Sequence, residues 1–165
     1  MNELEENLFR SRKILIKELS SLNDNEFNQR VDTNKWSIAQ ICHHLVITEI
    51  LFTKAIISGL DKMNVTESTR KPIHLVLDKS KKFQAPEISE PRSEPFQVLQ
   101  ILLLLNESRK NLTEAISKVD DKTILKTITA KHPVFEDLPL DQWIELLYLH
   151  EQRHIEQIIT LKSLR

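Results

Sequence analysis

A chain of 165 residues with a single glycine, Gly59, has few of the positions that tight backbone turns require. Gly-rich phosphate loops, dinucleotide-binding fingerprints and nucleophile elbows each need several glycines, where the backbone turns sharply or approaches a ligand. Nucleotide-dependent enzymes and ordinary serine hydrolases are therefore excluded. Scarcity of glycine also disfavours a turn-rich β fold and suits long helices. The length fits one domain with a sizeable core. A content of 40% hydrophobic and 28% charged residues is that of a soluble globular chain rather than a disordered one.

Four segments carry helical periodicity: residues 3–22, 37–59, 94–119 and 141–163. Ser37 suits the N-cap of the second and Gly59 its C-terminal stop. The third is apolar almost all round in its first half, which implies burial on more than one side and, in a domain this small, a homodimer interface. The connection 60–93 is long, with Pro72, Pro86 and Pro91 and a lysine cluster, and serves as a functional loop or a crossover strap. A second connector, 120–139, has short strand-like pieces. No internal repeat is apparent. These features predict an all-α fold, a four-helix bundle with one long crossover connection, in a single domain spanning 1–165.

A net charge of -1 offers no basic surface for nucleic acid. Cys42 is the only cysteine, so an internal disulfide and C-x-x-C motifs are excluded. The acidic N-terminus differs from a signal peptide. The longest apolar run, Ile101 to Leu105, is far short of the roughly 20 residues that cross a bilayer. A cytoplasmic protein acting on a small-molecule substrate, without a membrane or nucleic-acid partner, is the expectation.

On the fourth segment, about 100° per residue places Trp143, Leu147, His150, His154, Gln157 and Leu161 on one stripe. His150 and His154 stand mid-stripe where leucines are expected. A lone histidine there is usually a core residue with local hydrogen bonds, but two buried side by side without partners are costly. One cation satisfies both, and their i, i+4 spacing brings them together. The letters H-E-x-x-H also match a zinc-protease helix. Glu151, however, lies to one side of the stripe, and no third ligand is evident in the eleven residues after His154. Glu151 is thus read as a surface carboxylate or one just behind the ligands, and as a candidate base.

On the second segment His44 lies at the edge of the apolar stripe, whereas His43 points nearly opposite, toward solvent. His44 is the preferred third ligand. Gln40 and Thr48, one turn to either side, are candidates to contact the substrate or support the ligands, with surface polarity the alternative. Cys42 lies about 200° round the helix from His44 and is not a co-ligand. Three imidazoles without a thiolate leave an open coordination position, the catalytic rather than structural arrangement. Zinc, nickel or iron suits such donors.

Lys35-Trp36-Ser37, with His44-Leu45 beginning eight residues after the tryptophan, resembles the first motif of the DinB-like superfamily, the YfiT-like metal-dependent enzymes. His132-Pro133-Val134-Phe135, then Trp143, His150, Arg153-His154-Ile155 and Gln157-Ile158, resemble its C-terminal motif. Phe83 to Pro86 and Pro91 look like its crossover. The resemblance implies a four-helix bundle, often dimeric, with a metal on His44, His150 and His154. It also implies S-transferases that use bacillithiol-type thiols, or hydrolases. Two positions depart from the pattern: Glu136 stands where relatives often carry glycine, and Pro139 replaces a common polar residue. His132 is a candidate to line the pocket, or else a turn residue beside Pro133.

Three functions follow. A thiol-dependent S-transferase would use the ion to activate a low-molecular-weight thiol, with Lys79, Lys81 and Lys82 offered to a carboxylated co-substrate or simply solvated. A metal-dependent hydrolase needs a base or proton shuttle, for which Glu49, Glu145 and Glu151 are candidates. A stress-related metal-binding dimer needs neither.

Overall fold

The computed structural model describes residues 2–67, 69–82 and 84–164. Phe83, quoted above for the crossover, lies outside the described residues. Helices α1 (Glu3–Leu19), α2 (Asp24–Asn28), α3 (Ile38–Lys62), α4 (Val98–Ser117) and α5 (Leu140–Ser163) account for most of the chain, with strands β1 (Thr129–His132) and β2 (Glu136–Pro139) before α5. Three helices begin with a reciprocal capping box: Asn2 with Glu5, Asn23 with Glu26, and Ser37 with Gln40. The Asn23 box starts α2, a short helix between the first two of the four long ones.

The four long helices form the bundle. α5 packs against α1 and α3, and α3 also packs against α4. Leu8 shares one core cluster with Ile56, Leu112 and Leu146, while Leu15 and Leu19 share the other with Leu45, Leu105 and Ile158. These pairings make α1 and α5 run one way and α3 and α4 the other. The parallel α3–α4 pair is what demands the long crossover. The crossover holds 3₁₀ turns at Ile73–Leu77 and Glu87–Ser89 and is tied to α5. Gln142 bonds both the N–H and the C=O of Lys71, and Arg70 pairs with Asp141 at 2.8 Å.

Several expectations are corrected. Gly59 does not end its helix: α3 runs on to Lys62 and stops at Met63, which adopts the left-handed conformation (φ 48°). The reason for glycine at 59 is steric, because an added Cβ would lie 2.9 Å from Leu140 Cδ2. α4 is not buried all round: Ile101 and Leu105 face the core, but Leu99 and Leu103 are 65% and 62% exposed. By length and apolar content α3 meets the requirement for a membrane-spanning helix, although no long apolar run announced it, and half of its apolar window is buried within the bundle.

The strand-like pieces of the second connector form an antiparallel hairpin with His132 opposite Glu136 and Thr129 opposite Pro139. Within its turn, His132 Nδ1 accepts the N–H groups of Val134 and Phe135 at 3.1 and 3.3 Å. Glu136 follows in the left-handed region (φ 56°). That conformation is easiest for glycine, so the backbone here favours a glycine that the chain does not have.

Candidate metal centre

His150 and His154 emerge from the middle of α5, and His44 from the second turn of α3 on the facing helix. His150 Nε2 lies 3.2 Å from His44 Nε2 and 3.2 Å from His154 Nε2. One ring nitrogen from each histidine falls within 4.8 Å of the others. His44 Nδ1–H donates to the Ser89 carbonyl at 2.8 Å, and His154 Nδ1–H donates to Gln157 Oε1 at 2.8 Å. Both tautomers are thereby fixed with the Nε2 lone pairs turned inward.

His150 Nε2 faces both lone pairs and carries at most one proton, so hydrogen bonding alone satisfies no more than one of the two contacts. Its Nδ1 is buried with no hydrogen-bond partner, as is Thr48 Oγ1. Three imidazole nitrogens on a tetrahedral zinc lie about 3.3 Å apart, given Zn–N near 2.0–2.1 Å. The observed 3.2 Å spacings therefore fit a divalent ion held by His44, His150 and His154.

Burial keeps all three rings neutral. Desolvation, then the neighbouring His154, His44 and Arg153, hold His150 well below the usual imidazole value. Burial brings His154 down to about 4, with His44 and Arg153 acting in the same sense against the Gln157 hydrogen bond. Burial also lowers His44, opposed by its bond to Ser89. Neutral imidazole is the form a metal needs.

The Trp36 ring lies 5.1 Å from the His44 ring, covering one side of it. Arg153, between the two α5 ligands in sequence, donates to the carbonyls of Val76, Asp78 and Lys81 and holds the crossover down. Ser89 reaches His44 only because the 3₁₀ turn Glu87–Ser89 folds back onto α3, a connection no local signal announces. Gln157 stood on the predicted stripe, three residues from His154, but had no role assigned.

Other candidates are placed elsewhere. His43 is half-buried rather than solvent-exposed: its Nδ1 accepts the Arg92 N–H at 3.1 Å and its ring packs on Phe96. Gln40 Oε1 accepts the Ser37 N–H in the capping box. His132 spends its Nδ1 on the hairpin turn, packs against Phe52 and Trp143, and is lowered to about 4 by burial. Glu145 lies partly buried beside Arg70. Lys79 pairs with Glu156 at 2.7 Å on the exposed strap, and Lys81 and Lys82 are exposed. Cys42 is fully buried and its thiol is pushed far up by desolvation, so it is inert.

Glu151 and Glu49 are the largest corrections. Neither faces solvent or the imidazoles; they are 2% and 1% exposed, inside the bundle. Arg12 Nη2 lies 2.8 Å from Glu151 Oε2 and 3.0 Å from Glu49 Oε2, and Arg109 Nη2 lies 3.1 and 2.8 Å from the same two atoms. Ser11 and Ser108 donate to the remaining carboxylate oxygens, each at 2.7 Å. Arg12 also donates to the Leu105 carbonyl and Arg109 to that of Leu8. A short repeat therefore underlies the arrangement: L-x-x-S-R-K occurs at Leu8 to Lys13 in α1 and at Leu105 to Lys110 in α4. The signal was present in the sequence, but six residues are too few to stand out as a repeat.

The chain is similar to the uncharacterized protein YuaE of Bacillus subtilis (strain 168), at 29% identity over 146 residues, covering 88% of this chain and 89% of that protein. The solved four-helix bundle protein TT2238 superposes with a TM-score of 0.62 at 18% identity, covering 96% of this chain and 97% of the other, and so shares the fold. The DinB superfamily profile matches residues 7–158. With most of its length matched, the chain belongs to the DinB superfamily.

Proposed function

We propose that the protein is a metal-dependent S-transferase that joins a low-molecular-weight thiol of the bacillithiol type to small electrophiles such as epoxides and halides. The observation that carries this reading is the charge of the site. Three neutral imidazoles converge, and among the described residues Arg153 is the ionised side chain that acts on two of them, His150 and His154. A divalent ion held by His44, His150 and His154, zinc or nickel by donor type, would keep its full charge there and lower the pKa of a thiol sharing the site. The chain's own residues orient and shield: the Ser89 carbonyl and Gln157 fix two of the rings, and Trp36 covers His44. In the transfer the thiol proton leaves to solvent and a sulfur–carbon bond forms. The carbon–halogen bond breaks with departure of halide, or the epoxide carbon–oxygen bond opens and its oxygen takes a proton.

A hydrolase would need a base beside the attacking water. Glu49 and Glu151 are bound by Arg12 and Arg109, which counts against that reading. The single buried cysteine fits a reducing compartment, the cytoplasm. Exposed Leu99 and Leu103, one turn apart on α4, support a homodimer through that helix. Light scattering of Leu99→Asp/Leu103→Asp against the parent chain tests that interface.

The reaction is tested by loading the protein with zinc or nickel and following loss of bacillithiol or cysteine against a panel of epoxides and haloarenes. Thiol consumption that needs the metal and is lost in His154→Ala is expected. A protein that binds metal but consumes no thiol would overturn the transferase in favour of a hydrolase or a non-catalytic metal-binding dimer.

A further inference from the structure

The four long helices contribute unequally to the histidine cluster. α3 and α5 carry its ligands, whereas α1 and α4 carry none. Yet α1 and α4 each present the same Leu-x-x-Ser-Arg-Lys segment to the bundle interior, and each grips both inner carboxylates. Arg12 donates to Glu151 through Nε and Nη2 and reaches Glu49 with Nη2. Arg109 mirrors it, donating to Glu49 through Nε and Nη2 and reaching Glu151 with Nη2. Each arginine also caps a main-chain carbonyl of the other outer helix. Thus Arg12, Arg109 and both carboxylates meet their partners only when all four helices are in one register.

The acidic residues are tied to the ligands by helical geometry. At about 100° per residue, His150 lies 100° behind Glu151, and His154 lies 60° from it on the same side. His44 lies about 140° round α3 from Glu49. Holding Glu151 toward α1 and α4 therefore turns both α5 histidines toward α3. Holding Glu49 the same way turns His44 toward α5. A buried ion pair is weak as a source of stability but strong as a device that selects one arrangement, because any other leaves charges uncompensated.

We propose that Glu49 and Glu151, clamped by Arg12 and Arg109, are positioning residues that set the rotation of α3 and α5 and so bring the three imidazole nitrogens together. The inference rests on the metal-centre reading above. It assigns to Glu151, the acidic letter of H-E-x-x-H, a structural task inside the bundle in place of acid–base work at the ion.

The test uses the full chain and Co(II), whose visible absorption reports coordination geometry. Glu151→Gln and Glu49→Gln are compared with Leu112→Ala, a core truncation in the cluster away from the histidines. The double variant Arg12→Met/Glu151→Met keeps volume while removing one charge pair, and provides a folded test if the single variants do not fold. Fold is checked by circular dichroism. The expected result is that folded quartet variants bind Co(II) about tenfold or more weakly, with an altered spectrum. Leu112→Ala, although less stable, should keep the parent spectrum and affinity within about twofold. Quartet variants that fold and bind Co(II) with parental affinity and spectrum overturn the positioning role while leaving the metal centre intact. A parent chain that takes up no Co(II) overturns the metal centre, and the positioning role with it.

Discussion

The Nε2 atoms of His44 and His150 stand 3.2 Å apart across the α3–α5 interface, each on a ring held away from its ordinary protonation range by burial. Two neutral nitrogens in that relation, with a third from His154, are a receptor for a cation. Elemental analysis of untagged protein is expected to give one divalent ion per chain, and His154→Ala to lose it while remaining helical. Added zinc should also raise the midpoint of thermal unfolding. At a free concentration about 100 times Kd the gain is about 2.7 kcal/mol, because ligand binds only the folded state. An unchanged midpoint with zinc, together with no bound ion, would contradict the site.

The same burial predicts the response to acid. In the unfolded chain a histidine titrates near 6.5, whereas His154 and His132 are brought down to about 4 in the fold. Between those values the unfolded state binds more protons at these two rings, so the stability they contribute is complete above about 6.5, falls as pH drops toward 4, and changes no further below. Metal affinity should fall over the same window, since protons compete for the ring nitrogens. Urea titrations at pH 7 and 5 check the first claim. Equal stability at the two values would show that the rings are not buried as described.

Periodicity was enough to read the four long helices, the Ser37 cap and the facing of His44, His150 and His154, because each of these depends on spacing within one helix. What depends on distant chain segments was not legible. Glu151 looks like a side-facing surface residue until Arg12 and Arg109, on two other helices, are seen to enclose it. Ser89 gains its role from a 3₁₀ turn in a segment with no periodic pattern. The strand-like pieces before α5 were legible, but at four residues each they were too short for alternation to fix their bounds or pairing. Gly59 suggested a helix stop because glycine usually punctuates, whereas here it makes room for Leu140.

Glu136 provides a local test of the turn. Its φ of 56° costs an L residue about 1 kcal/mol relative to glycine, and its side chain is exposed. Glu136→Gly is expected to raise stability by about 0.5–1 kcal/mol, reduced somewhat by glycine's greater freedom in the unfolded chain. Metal content should not change, since the three ligands do not involve this turn. Chemical denaturation of the variant checks it. A clear loss of stability would mean that the glutamate side chain contributes more than the left-handed backbone costs.

Gly59 offers the complementary test, where space and not backbone conformation decides. Alanine at a helix interior is favoured over glycine by about 1 kcal/mol. At this position the new Cβ meets Leu140 Cδ2 at 2.9 Å and Leu140 Cδ1 at 3.4 Å, with Ala130 Cβ at 3.5 Å behind them. Leu140 is fully buried at the start of α5, so its methyl groups yield only by disturbing neighbours. Overpacking of this kind costs about 1–3 kcal/mol, enough to cancel or exceed the helical gain. Gly59→Ala alone is therefore expected to leave stability unchanged or lower it by up to about 2 kcal/mol. In a Leu140→Val background, where the obstructing methyls are drawn back, the same substitution should stabilise by about 0.5–1 kcal/mol. Urea unfolding of the four proteins of this cycle measures the coupling. An identical effect of Gly59→Ala in both backgrounds would show that Leu140 is not what keeps residue 59 a glycine.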